Sequence, residues 1–309
     1  MADFKIQLLP SAGDSDPNVV TRAKSGNLDY GYTKMVADVQ ALEGTPGITV
    51  TPIDVRYTRL FYLNKFDKKD GSPAPLADVR VRQALRYAID METICETLFQ
   101  GSAVPANALA PDANLKGGDL NDYNYNPEKA KELLAEANWD PNTVIKAVYY
   151  YTDQATVDLM TAVQAYLADV GIKMEFELVE GDLATILWTA PADQTNGPRA
   201  VDWDICYAAN AALSLHEYYD RYRTGSPTNS HTPEDAELNR LIDATNASAD
   251  VNAQNEAFKE LIKYENENLF TMALYYQPIF LITSDKIGDI QKGTPQFCIN
   301  WGIQNWNVQ

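Results

Sequence analysis

An α/β fold divided into two lobes is predicted for this chain by three observations. A strand–helix–strand succession between Val144 and Leu178 reads as a βαβ unit. Helices with well-formed starts at Asp78, Asp90 and Asn126 alternate with strand runs, the longest at Ile48 to Leu63 and Thr271 to Thr283. The chain of 309 residues is 45% hydrophobic, more than one core readily holds, because single cores stop growing near roughly 250–300 residues.

The elements follow in order. Lys5 to Leu9 alternates as a short strand, Pro10 to Asn18 reads as a loop, and Val19 to Lys24 as a short helix stopped by Ser25-Gly26. Ile48 to Leu63 is β-branched and aromatic, with Pro52 its only breaker, and gives one or two strands. Charged, Gly- and Pro-bearing Asp67 to Pro75 makes an exposed loop. Asp78 caps a helix whose Val81, Ala84, Leu85, Ala88 and Ile89 share one face, and Asp90 caps a second that ends at Gly101. Val104 to Asn126 is a long surface loop. Asn126-Pro127-Glu128 combines a capping Asn, Pro at the first helical position and an acid in the first turn, so a helix begins there and ends near Trp139-Asp140-Pro141. The βαβ unit comes next: strand Val144 to Tyr151, a helix with Val157, Met160, Val163 and Leu167 on one face, a break at Gly171, and a strand alternating through Ile172, Met174, Phe176 and Leu178. Asp202 to Tyr207 is a further strand, Pro233 to Asn246 and Asn252 to Leu269 are helices, and Thr271 to Thr283 is a long apolar strand.

Composition removes several functions. With 43 acidic against 25 basic side chains the net charge is −18, which repels phosphate backbones and anionic headgroups, so nucleic acid is not an expected partner. There is no apolar run near the ~20 residues that span a bilayer, and Met1 to Pro10 lacks the basic and apolar regions of a secretion signal. Cys95, Cys206 and Cys298 lie far apart without a CxxC spacing and are expected to be buried thiols, with a disulfide between two of them left open. His216 and His231 are the two histidines, and neither stands in a nucleophile arrangement. His216-Glu217-Tyr218-Tyr219-Asp220 resembles HExxH superficially, but Asp220 replaces the second zinc-facing histidine. A metal-assisted hydrolase using His216 and Glu217 is the rival from another class. No catalytic residue, metal site or cofactor is expected, and glycine spacing offers no nucleotide cradle. The 18 tyrosines and 5 tryptophans, clustered at Tyr149-Tyr150-Tyr151, Tyr218-Tyr219 and Tyr275-Tyr276, suit a cleft that holds a partly apolar solute while donating hydroxyl hydrogen bonds.

Four blocks carry a family resemblance. Lys24 to Asp29, Val79 to Asp90 with Val104 to Asn107 and Ala110-Pro111, Tyr125 to Ala137, and Leu167 to Glu175 resemble, in order, blocks of the family 5 extracellular solute-binding proteins, the dipeptide-, oligopeptide- and nickel-binding components of ABC importers. The resemblance implies a type II periplasmic-binding-protein-like fold that closes over solute and catalyses nothing. It places this chain in the C-terminal portion of such a protein, mostly the second lobe plus an incomplete first lobe. Residues 1–55 would be a partial first lobe, 56–283 the second, substrate lobe, and 284–309 a return to the first, with Trp301 and Trp306 packing there. The implied ligand is a peptide or similar small solute, the implied partners are ABC permease subunits, and the full-length form would be extracytoplasmic, lipid-anchored or free in the periplasm. In peptide-binding members a strand like Asp204 to Tyr207 leads to an aspartate that pairs with the ligand's amino terminus; here Ala208 to Ser214 contains no acid. A metal-chelate (nickel) or oligosaccharide receptor therefore stays open. The expected ligand-binding residues are Tyr207, Asn210, Tyr276 on its cleft-lining strand, and Trp188 at the cleft edge.

Overall fold

The computed structural model describes residues 7–9, 18–112, 115–117, 119–210, 214–288 and 306–308, the side chains of 53–56 excepted. Two long strands organise it: β2 (Ile48–Leu63) and β7 (Thr271–Ser284), antiparallel to each other along most of their length. They lie inside a sheet of order β1-β7-β2-β6-β4-β5, with β1 (Tyr30–Thr33), β4 (Val144–Tyr149), β5 (Lys173–Leu178) and β6 (Ile205–Asn210). β4 runs parallel to both β5 and β6, and α6 (Gln154–Asp169) makes the crossover, so the predicted βαβ unit is present.

Alternation along the strands sends side chains to two cores. Phe61, Leu63, Ala147, Tyr149, Ile205 and Tyr207 face a helical layer made of α3 (Val79–Ala88), α4 (Met91–Thr97), α5 (Pro127–Glu136) and α6. Leu60, Tyr62, Val148, Cys206 and Ala208 face the opposite layer: α7 (Leu183–Trp188), α8 (Leu215–Asp220), α9 (Ala236–Ala244) and α10 (Val251–Asn268). The result is a three-layer α/β/α body. At the far ends of β2 and β7, Ile48, Val50 and Ile282 form a separate small core with α1 (Val19–Lys24) and α2 (Val36–Leu42). Trp306 packs on Tyr30 there, ring centroids 4.7 Å apart.

Between the two regions the β2–β7 ladder is irregular. Ile53 pairs with Ile279 and Tyr57 with Gln277, so β2 carries extra residues opposite Pro278. Proline cannot donate to a ladder and is confined to such irregularities and edges.

The predicted helix starts are built as their chemistry requires: Asp78 accepts from Arg80 N, Asp90 from Thr93 N and Asn126 from Lys129 N. Arg82 and Arg86, in the most distinctive block of the sequence, are buried and serve the backbone. The Arg82 guanidinium donates to the carbonyls of Leu76, Ala77, Asn268 and Leu269, and Arg86 donates to those of Tyr123 and Ala106.

Several expectations need correction. Gln7–Leu9 forms no strand: Leu8 is 88% exposed, and an unpaired run has no ladder to hold it extended, while residues 1–6 lie outside the described set. The long loop contains β3 (Val104–Pro105), paired to β7. The strand predicted at Asp202 is Ile205–Asn210, because Asp204 is drawn into a buried ion pair with Arg199, 2.8 Å. On edge strand β5, Met174 is buried but Leu178 is exposed. Elements β1, α2 and α7 were not foreseen. Cys95 and Cys206 are free, buried thiols, with burial pushing Cys95 up to about 12; Cys298 and Trp301 lie outside the described residues.

Candidate binding cleft

A cleft of about 140 Å³ opens where the small α1–α2 region meets the three-layer body. Its floor comes from the sheet: Arg59 on β2, Tyr207 on β6, Tyr275 and Gln277 on β7. One wall is the start of α6 (Asp153 to Thr156), another the segment Leu98 to Gln100 after α4, and the third Lys34 to Ala37 leading into α2. The start of α6 follows the carboxyl end of β4, the side of an α/β sheet where ligands collect.

Strand register explains how these side chains meet. Arg59 pairs with both Ala209 and Tyr275, and Tyr57 with Gln277. The Arg59 Nε donates to Gln277 Oε1, 2.9 Å, and its guanidinium lies 4.3 Å above the Tyr151 ring. Gln277 Nε2 reaches back to the Lys34 carbonyl, 3.5 Å, while the Lys34 ammonium stands 3.9 Å over the Tyr57 ring. Gln277 thus links the Arg59 side chain to the backbone at Lys34. Arg59 is 5% exposed and Lys34 7%, unusual for charged residues. Tyr207 and Tyr275 share a hydroxyl–hydroxyl bond of 2.7 Å, and burial raises the Tyr275 phenol well above its usual range. Asp153 is spent on α6, accepting from Thr156 N and Thr156 Oγ1.

Of the four residues singled out from the sequence, Tyr207 lines this cleft. Asn210 ends the same strand with its amide donating to the Tyr218 carbonyl, 3.0 Å. Tyr276 faces away from the cleft: its hydroxyl donates to the Ala108 carbonyl, 2.7 Å, and accepts from Lys116, 2.6 Å, pinning the long loop to β7. Trp188 lies across the other sheet face, edge-on to Tyr62 at 4.8 Å and under the Arg221 guanidinium. Sequence reasoning missed Lys34, Arg59 and Gln277. Arg59 carried a signal, a charge inside the apolar run Leu60 to Leu63; Lys34 and Gln277 carried none.

His216 is placed structurally, its Nδ1 2.8 Å from Thr245 Oγ1. His231 is fully buried among Tyr62, Trp203 and Tyr222, and burial holds it well below the usual histidine range, hence neutral. A larger groove, about 240 Å³, lies at the amino ends of β4 and β6. Its lining includes Lys68, Lys69 and Asp70 beside two paired cations, Arg199 with Asp204 and Lys146 with Asp202 and Glu177.

A sheet with helices on both faces, and a tyrosine-lined cleft beside the crossover of its parallel strands, define an α/β protein with a candidate binding cleft. Residues 10–232 match the family described as bacterial extracellular solute-binding proteins, family 5 Middle. The chain belongs to that family. It is similar to the dipeptide-binding protein of Escherichia coli, 48% identical over 64 residues, which are 20% of this chain and 12% of that protein. It is also similar to heme-binding protein A of Haemophilus influenzae, 35% identical over 130 residues, 41% of this chain and 22% of that one. Among solved structures, the oligopeptide-binding protein AppA of Bacillus subtilis in complex with a nonapeptide superposes with a TM-score of 0.74 at 17% identity, over 94% of this chain and 58% of that one. The type II periplasmic-binding fold is therefore present, and the chain spans a little over half the length of that relative.

Proposed function

We propose that this chain is the substrate-lobe portion of an extracytoplasmic receptor that binds a peptide or similarly small solute and presents it to an ABC permease, without catalysing a reaction. Residues 56–283 form its substrate lobe, and 1–55 with 284–309 contribute to the first lobe. In the full-length protein the receptor is free in the periplasm or held by a lipid anchor. The observation that carries this reading is the cleft, in which Arg59, Tyr207, Tyr275 and Gln277 meet Lys34 from the opposite side. Phenols and an amide orient a solute, and the flanking Phe99 and Leu98 shield its apolar part. Tyr207 is the direct contact; Asn210 and Tyr276 fix the wall behind it, and Trp188 braces the far face of the sheet. Family membership supports the same reading.

Calorimetric titration of the purified chain with a panel of di- to pentapeptides tests it. One-to-one saturable binding that weakens in Tyr207→Ala, with the peptide recovered intact, is the expected result. Hydrolysis of the peptide, or no binding by any peptide or other small solute, would overturn it.

A further inference from the structure

We infer that the groove at the amino ends of β4 and β6 binds a small oxyanion of the phosphate class, at a site separate from the solute cleft. β4 and β6 are parallel, so Val144 and Asp204 bring the groove to one end of the sheet while Tyr207 and Asp153 bring the cleft to the other. The site therefore stands or falls independently of the receptor reading.

The groove has a built interior. Arg199 is 4% exposed, and its guanidinium donates through Nε to the Phe66 carbonyl at 3.2 Å and through Nη1 to the Trp203 carbonyl and Asp204 Oδ1, both at 2.8 Å. Its Nη2 is buried with no partner among the described residues, and so is Trp203 Nε1. A buried donor left without an acceptor is costly and marks where one is missing. The acids of the lining are committed elsewhere. Asp204 Oδ2 accepts from Lys146 N at 2.9 Å, Asp202 pairs with the Lys146 ammonium at 3.0 Å, and Asp70 accepts from Ser72 N and Ser72 Oγ.

Two further cations complete the lining. The loop Asp67 to Pro75 is fastened beside Arg199, whose N donates to the Asp67 carbonyl at 2.8 Å, and Lys68 N closes a turn onto the Ser72 carbonyl at 2.9 Å with Gly71 in the left-handed region, φ 83°. That turn brings Lys68 and Lys69 into the groove. Lys68 stands near Asp70 and Lys69 near Asp202, yet neither ammonium makes an ion pair or hydrogen bond among the described residues. Even with Glu177, the second partner of Lys146, the groove holds as many cations as acids, in a chain whose net charge is −18. Salt screens the remote negative charge beyond about 8 Å. An oxyanion accepts from an arginine fork and two ammonium groups at once, through charge-assisted bonds. About 240 Å³ accommodates it with part of its hydration, each water-sized unit taking roughly 30 Å³.

Calorimetric titration of the intact chain with inorganic phosphate, at neutral pH and an ionic strength held constant with chloride, tests the site. One-to-one saturation is expected, weakened on the order of tenfold or more in the double variant Lys68→Gln, Lys69→Gln and unchanged in Tyr207→Ala. Should the double variant fail to fold, Lys69→Gln alone, at the exposed position, serves the same comparison. Heat that follows ionic strength rather than phosphate, or equal binding by the lysine variants, means that water alone fills the groove and overturns the site. Binding lost in Tyr207→Ala but kept in the lysine variants would move the anion to the cleft and overturns it too. Retention on phosphatidylglycerol vesicles that depends on Lys68 and Lys69, without uptake of free phosphate, assigns these cations to a lipid surface and is the third adverse result.

Discussion

Glu265, on α10, is 2% exposed, and its carboxyl accepts from Leu109 N at 2.6 Å and from Tyr219 OH at 2.8 Å. Burial is the dominant cause that pushes it up to about 8, against the opposing pull of those two bonds and of Lys116. The folded protein therefore keeps a proton that the unfolded chain releases near 4.5. That contribution to stability is complete below the unfolded value and is lost as pH rises toward the folded one, at a slope of about 1.4 kcal/mol per pH unit where it is steepest. His231 works in the other direction, losing stability as pH falls below its unfolded value of 6.5, so the net decline is expected above that point. Glu265→Gln mimics the neutral acid, and its urea midpoint is expected to fall less than that of the parent between pH 6.5 and 8. Parallel profiles for the two proteins would show that Glu265 does not titrate in this window. Glu265→Ala, by contrast, leaves Leu109 N and Tyr219 OH without their acceptor and is expected to cost about 1–3 kcal/mol per stranded group at any pH.

Arg82 shows why a helix of ten residues carries the strongest block in the sequence. α10 ends with Leu269 in the left-handed region, φ 43°, and Arg82 collects the carbonyls that this ending and the turn at Leu76-Ala77 leave exposed. Arg82→Met keeps the apolar stem but strands these acceptors, and a loss of about 3–5 kcal/mol is expected by denaturant unfolding. A loss under about 1 kcal/mol would mean that water reaches them. Helix caps and periodic faces could be read from the sequence because their causes lie within a few residues: Asp78 and Arg80, Asp90 and Thr93, Asn126 and Lys129. Short elements α2 and α7 bury only Leu42 and Leu187 respectively, too little periodicity to announce a helix. The cleft was legible in part. Tyr207 was reached through strand and family pattern, whereas Lys34 and Gln277 become neighbours only when β1 pairs with β7, and no local spacing encodes that.

At the scale of the molecule, two strands connect a large body to a small one across an irregular stretch of ladder. The small region has only a small core among the described residues: α2 buries Leu42 and bonds through Gln40 to Gln100 at 2.6 Å, and Lys34 just before it meets Gln277. Such regions open at low free-energy cost. A solute held in the cleft is expected to slow amide exchange across Val36–Leu42 more than across α3, as read by hydrogen–deuterium exchange. At a hundredfold excess over Kd, global stability should rise by about 2.7 kcal/mol. Protection confined to the large body would mean that the solute engages only one side of the cleft.

The pairing of β2 with β7 also sets a timetable. Arg59 and Gln277 are separated by 218 positions in the chain, and at about 5–20 residues per second of synthesis the second strand emerges on the order of tens of seconds after the first. Throughout that interval the β7-facing edge of β2, with Phe61 and Leu63 beside it, lacks the neighbour that completes the sheet. Nascent chains of this protein must therefore be kept apart from one another, and final closure of the sheet belongs to the slow, high-contact-order class of folding events.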